Sequence, residues 1–402
     1  MPNTPKPRIE FIPRKPAVQR DAPTRLEALL RLHAPEVKLP ERPRLNLGLA
    51  LDRSGSMAGD KIRKAREAAI FAIKQLTPQD RVAIVAYDSE VELVLPSTPA
   101  TDKAAILAAI ERIDDRGSTH LFGGWSEAAH QVAQHLDPAA LNRVLLLTDG
   151  LANQGLTDPQ EIGRHVGELA RRGVSTSTLG VGRDFNEDLL ALMADRGEGN
   201  FYFIESSADL PRIFAQELSG LLATFAKQVR LGLEGNGWQV ELHNQFSRDP
   251  HGAYRLPDLA HGLPLELAVT LRVPPGPLQG KLKLSWEDSS GKRRQMSLPL
   301  NLEAVDAAAF AQLPEKREVM AYLAKLEATQ TRREAMAYLD RGELGRAKAS
   351  IEAVIPKMAQ FGDLYPEEAQ ELRALLGSVD EDALAARKWM SYQSLRNLKG
   401  KR

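Results

Sequence analysis

Residues 52–57 read Asp-Arg-Ser-Gly-Ser-Met, so Asp52, Ser54 and Ser56 place one carboxylate and two hydroxyls at alternate positions. Alternating oxygen donors have a metal-ligand spacing, and Gly55 lets the loop fold so that the three converge on one point. Alone the pattern is only moderately specific, because serines and glycines also crowd strand-to-helix turns as plain helix caps. Two other loops add donors of the same kind. Residues 117–121 read Gly-Ser-Thr-His-Leu with Thr119 opening a helix, and residues 147–150 read Leu-Thr-Asp-Gly with Asp149 ending a strand. The 402-residue chain has no cysteine, which excludes disulfides, thiolate metal sites and a Cys nucleophile, so a metal here must sit on oxygen or imidazole.

The elements around these loops explain how they meet. From residue 45 to about 225 short apolar runs alternate with amphipathic stretches, the pattern of an α/β domain with a parallel sheet covered by helices. Strands are expected at 45–51, 81–87, 91–95, 142–148, 174–181 and 200–204. A helix is expected at 61–76, with Ile62, Ala65, Ala69, Ala72, Ile73 and Leu76 at helical spacing. The run 91–95 follows its predecessor too closely for a crossover and is expected to pair antiparallel. In an open parallel sheet ligands bind beyond the carboxyl ends of the strands, and all three donor loops fall at that edge.

This constellation resembles the von Willebrand factor type A family, whose metal site uses Asp-x-Ser-x-Ser, a Thr from a second loop and an Asp from a third. The resemblance covers residues 45–225 and implies a doubly wound, Rossmann-like sheet. Carried over, it makes Asp52, Ser54, Ser56, Thr119 and Asp149 the metal-site positions. Arg53, Met57 and His120, which stand beside these donors in the chain, are expected at a partner-binding rim. His120 stands where many relatives have Asn. The more extended pattern also resembles a bacterial group in which this domain interrupts a β-sandwich and precedes C-terminal helices, without a sharp motif for the wider match.

Hydroxyls and carboxylates form a hard oxygen set suited to Mg²⁺ or Mn²⁺. The family resemblance implies that Asp52 and Asp149 act mainly through coordinated water, leaving a position that an Asp or Glu of a partner protein can fill. The expected function is therefore divalent-metal-dependent protein binding and not catalysis. A Mg²⁺-dependent phosphoryl-transfer or hydrolytic enzyme is the rival from another class. It is disfavoured because no second Asp stands two positions after Asp52, no loop ends in Gly-Lys-Ser or Gly-Lys-Thr, and no Gly-x-Ser-x-Gly elbow surrounds Ser54 or Ser56.

The remaining chain divides by pattern. Residues 1–16 read as an extended arm, and 17–40 as strands of a sandwich completed by 226–305, where period-two alternation such as Leu265-Glu-Leu-Ala-Val-Thr-Leu runs without helices. In the segment before the α/β domain, Leu26, Ala28, Leu30 and Leu32 alternate as in a strand, while Leu26, Leu29 and Leu30 also suit a helix. Residues 306–402 have a helical composition, with one turn like that of a tetratricopeptide helix pair at 335–348. A scaffold acting through these helices, with only a structural metal, is the third functional reading. Lys+Arg and Asp+Glu both number 53, so no global field favours nucleic acid or a membrane surface. With no secretory pattern at the N-terminus and no run of about 20 apolar residues, a cytoplasmic protein without membrane insertion is expected.

Overall fold

The computed structural model describes residues 5–35, 42–262 and 264–400. These form two units, one of residues 42–223 with Ser289–Gly291, the other of residues 5–35, Thr224–Asp288 and the chain from Lys292 onward.

The first unit is a six-stranded sheet in the order Val91–Pro99, Arg81–Tyr87, Arg44–Asp52, Ala140–Thr148, Val174–Val181, Glu198–Ile204. All neighbours are parallel except Val91–Pro99, which pairs antiparallel with Arg81–Tyr87 as its close spacing required. Helices Asp60–Gln75, Lys103–Glu111, Leu121–Gln134, Pro159–Arg171, Glu187–Arg196 and Leu210–Leu222 connect and cover these strands. Strand Arg44–Asp52 is buried from Leu45 through Asp52, and Ala140–Thr148 is buried throughout, as central strands covered on both faces must be. From Arg44–Asp52 the chain first builds the sheet toward Arg81–Tyr87 and then crosses to Ala140–Thr148 on the other side, so a topological switch point lies beside Asp52. Helix Leu121–Gln134 packs closely here. A Cβ on Gly48 would stand 2.7 Å from the Ala128 carbonyl oxygen, so only glycine allows this approach.

The second unit contains two facing antiparallel sheets. One has the order Arg8–Pro13, Thr24–His33, Leu265–Val273, Gln239–Leu242; the other Tyr254–Arg255, Thr224–Gly235, Leu278–Glu287, Arg293–Leu302. Residues 8–13, expected within an extended arm, are instead a strand whose Ile9 and Phe11 join the sandwich core. Residues 36–40, expected with the N-terminal strands, lie outside the described residues. Strand Thr24–His33 pairs with Leu265–Val273 along its length, so N-terminal sequence supplies an interior strand to a sheet completed more than 200 residues later.

Helices Ala307–Gln312, Arg317–Asp340, Leu344–Ala359, Pro366–Glu381 and Ala383–Leu398 follow. Their apolar faces form a second core that includes Leu29 and Ala268 from the sheet, which is thus covered on both faces. Tyr322 and Tyr365 of this region donate hydrogen bonds to the backbone carbonyl and the side-chain carboxylate of buried Glu266, whose other carboxylate oxygen accepts from Arg31 Nε at 2.8 Å. No helix among the described residues is long and apolar enough to cross a membrane.

Candidate metal centre

The three donor loops meet at the switch point, tied first by their backbones. Arg53 N donates to Tyr87 O at 2.9 Å, Arg116 N to Arg53 O at 2.7 Å, and Gly55 N to Gly117 O at 3.0 Å. Gly117 has φ +70° and a Cβ there would strike Ser89 Oγ at 2.8 Å, so this crossing of the two loops requires glycine. The third loop joins through Asn153: its side-chain oxygen accepts from Thr119 N at 3.0 Å, and its N–H donates to Thr119 O at 3.3 Å.

On this frame the donors converge. Ser54 Oγ and Ser56 Oγ are 3.1 Å apart, and Ser56 Oγ donates to Asp149 Oδ1 at 2.7 Å. A Cβ on Gly150 would lie 3.2 Å from Thr119 Oγ1 and 3.7 Å from Ser56 Oγ, so both hydroxyls face one small space that glycine leaves open. Asp52 and Asp149 have no exposed surface, while Ser56 is exposed. The carboxylates therefore form the floor of the site and a hydroxyl its mouth. The structure brings all five sequence-identified donors together.

Asp52 is held by Ser54 N, which donates to Oδ1 at 2.8 Å, and by Thr148 Oγ1, which donates to Oδ2 at 2.5 Å. Burial is the main cause that pushes its pKa from 3.8 up to about 6; the negative charge of Asp149 adds to the rise, and the hydrogen bonds from Thr148 and Ser54 oppose it. A divalent cation would relieve that unfavourable charge burial. Among the described residues no three His, Asp or Glu side chains gather as a metal group, so a cation held here would rest on the hydroxyls as well as the carboxylates. Two carboxylates with three hydroxyls are an all-oxygen set, and they fit a hard divalent ion.

The expected rim is corrected at two positions. Arg53 is buried and committed to two acids of its own fold: Nε donates to Asp88 Oδ2 at 2.6 Å and Nη1 to Glu92 Oε2 at 2.6 Å. Arg116 Nε donates to the same Asp88 oxygen at 2.9 Å, so this cluster clamps the first two loops together. Met57 is also fully buried and anchors its loop in the core. His120 is half-buried with its ring against Gly155, where a Cβ would come within 2.1 Å of Nε2; it therefore bridges the second and third loops. Leu151, 55% exposed directly after the Asp149-Gly150 turn, is an apolar rim residue that the sequence reading missed.

Four supporting residues were also missed: Thr148 on Asp52, Asn153 on Thr119, Asp88 in the clamp, and Lys61, whose Nζ donates to Asp149 Oδ2 at 2.5 Å. Thr148 stood within a quoted motif, adjacent to Asp149. Lys61 lay in the first turn of helix Asp60–Gln75, where the helix dipole disfavours a cation, an oddity that signals a nearby anion.

A doubly wound sheet with this loop constellation at its switch point defines a von Willebrand factor type A domain. Residues 46–216 match that family model, and this stretch of the chain is such a domain. The uncharacterized protein YfbK of Escherichia coli (strain K12) is 35% identical over 211 residues, covering 52% of this chain and 37% of that protein. The chain thus spans well under half of that relative. Two solved structures share the architecture along nearly the whole chain. The von Willebrand factor type A protein from Catenulispora acidiphila has a TM-score of 0.76 at 19% identity, covering 93% of this chain and 91% of that one. The ArnB paralog VWA2 from Sulfolobus acidocaldarius has a TM-score of 0.64 at 16% identity, with 98% of each chain covered. At such identities the likeness is one of fold.

Proposed function

We propose that the chain is a divalent-metal-dependent protein-binding module, using Mg²⁺ or Mn²⁺ at Asp52, Ser54, Ser56, Thr119 and Asp149 to capture an Asp or Glu of a partner protein. The observation that carries this reading is the convergence of hydroxyls over two buried carboxylates, with Ser56 at the mouth and Gly150 leaving the space open. When bound, a divalent cation supplies a Lewis-acidic site able to take one more oxygen ligand. The protein's own residues do the rest. Asp52 and Asp149 provide charge from below, the backbone ties hold the hydroxyls in register, and Leu151 with His120 borders the opening. An acidic side chain suits it because it brings both an oxygen donor and the charge to match.

We read this site as binding without turnover. Its serine hydroxyls are engaged with each other and with Asp149, and the neighbouring cationic side chains of Lys61 and Arg53 are held in ion pairs with Asp149, Asp88 and Glu92. The test is affinity capture from native extract with the full chain in Mg²⁺, in chelator, and with Asp149→Ala. Partners retained only by the wild type in Mg²⁺ support the proposal. Capture unchanged by chelator and by Asp149→Ala refutes it and moves binding elsewhere, with the C-terminal helices the next surface to examine. Release of phosphate or of a hydrolysis product from added substrate would establish an enzyme instead.

A further inference from the structure

Lys61 is a charged side chain of the site that belongs to neither the donor set nor the loop clamp. Its Nζ bonds Asp149 Oδ2 at 2.5 Å, while Oδ1 of the same carboxylate faces Ser56 Oγ, and the Lys61 side chain is only 30% exposed. It is therefore a fixed charge, partly shielded from water, on one of the two acids that face the opening.

We infer that Lys61 sets the charge of the loaded site, weakening its hold on the metal and making it selective for an anionic ligand; this rests on the metal-binding reading above. The charge count gives the direction. Asp52 and Asp149 with a divalent cation sum to zero, so the site alone would merely tolerate a carboxylate. With the ammonium included, one net positive charge remains. The next cluster out, Arg53 and Arg116 with Asp88, Glu90 and Glu92, carries one net negative charge, but Glu90 is 81% exposed and screened by solvent, whereas the Lys61 ammonium touches the Asp149 carboxylate itself. An ammonium and a divalent cation sharing one carboxylate repel each other, so metal affinity falls. The same field attracts an incoming carboxylate and disfavours a cationic or neutral ligand. Lys61 thus trades resting metal affinity for discrimination in favour of acidic partners.

The test is calorimetric titration of the full chain with MgCl₂ and MnCl₂ at low and high ionic strength, for wild type, Lys61→Met and Lys61→Gln. The Gln variant keeps a donor toward Asp149 Oδ2 and guards against loss of local structure in the Met variant, with circular dichroism melting as the folding control. Both variants are expected to bind metal about tenfold more tightly than wild type at low salt, the gap narrowing at high salt. Titrating the Mn²⁺-loaded proteins with acetate should show the reverse order, with wild type binding acetate more tightly. Equal or weaker metal binding by both folded variants overturns the inference while leaving the metal site standing. If neither wild type nor variants bind metal, the underlying reading falls with it. If only the variants bind, Lys61 occupies the site as a resident cation, and the proposed function is overturned while the repulsion is upheld.

Discussion

Replacing Asp52 by Asn should stabilise the metal-free α/β unit while abolishing metal binding. Asp52 is buried with its pKa raised from 3.8 to about 6, and such a rise corresponds to about 3 kcal/mol of penalty for holding the ionised form at neutral pH. Asn removes the charge and retains the local bonding. Its oxygen can accept from Ser54 N, and its NH₂ can donate to Thr148 Oγ1, whose own hydrogen can turn toward Gly150 O, 3.4 Å away. Allowing for imperfect geometry, the metal-free gain at neutral pH is about 1–3 kcal/mol. The sign with pH follows from a raised acid. Above about 6 the folded protein bears the full penalty, and as pH falls from 6 toward 3.8 the native state takes up a proton and the penalty disappears. The acids held below their usual range, Glu217, Asp80 and Asp88 among them, add no competing trend between pH 5 and 7. Their stabilisation is lost only below the unfolded carboxylate range. Hydrogen exchange of peptides covering Arg44–Asp52, in chelator at neutral pH and near pH 5, reads the difference. The argument is refuted if Asp52→Asn is less protected than wild type at neutral pH, or if the gap between them does not shrink on acidification.

Ser56→Ala should weaken Mg²⁺ binding by at least about tenfold with little change in melting temperature, since it removes an exposed donor and one hydrogen bond to Asp149; isothermal titration beside a thermal melt checks both halves. Glu217→Gln should destabilise the α/β unit by about 2–4 kcal/mol. Burial pushes the Glu217 pKa up, but the Arg143 charge and hydrogen bonds from Ser177, Asn200 and Tyr202 more than reverse it; denaturant unfolding followed by hydrogen exchange in that unit reads the loss. Its stabilisation is present above the unfolded value and lost as pH falls through the lowered folded one. Deleting residues 1–35 should unfold the sandwich, because Thr24–His33 lies between Arg8–Pro13 and Leu265–Val273 in the sheet; exchange should rise across Leu265–Val273 and stay low across Arg44–Asp52.

The donor loops were legible because their information is local. Alternate oxygens after an apolar run announce a strand end, and uninterrupted burial of residues 45–52 and 140–148 explains why those runs lacked alternation. The segment around Leu29 was ambiguous for a physical reason. Leu26, Ala28, Leu30 and Leu32 face the sandwich core while Leu29 faces the helices, and burial on both faces blurs a period of two. The strand Arg8–Pro13 was unreadable because four of its six residues are neither fully buried nor strongly exposed. Arg53 and Met57 were misplaced because residues beside the donors in the chain were taken to line the rim of the site. In the tight turn Met57 instead points into the core, and Arg53 is directed to acids 35 and 39 residues away.

That long-range clamp bears on how the site works. The hydroxyl donors sit on loops joined by main-chain hydrogen bonds at Arg53, Gly55, Arg116 and Asn153, and Asp88 adds a charged tie between Arg53 and Arg116. Loop position is therefore set mainly by groups that are not donors to the metal. Substituting a donor should alter affinity while leaving the other donors in place, whereas substituting Asp88 should loosen two loops together and reduce affinity without removing any ligand. The distinction follows from the connectivity: Ser54, Ser56 and Thr119 each present an oxygen, while Asp88 holds the loops on which those oxygens are carried.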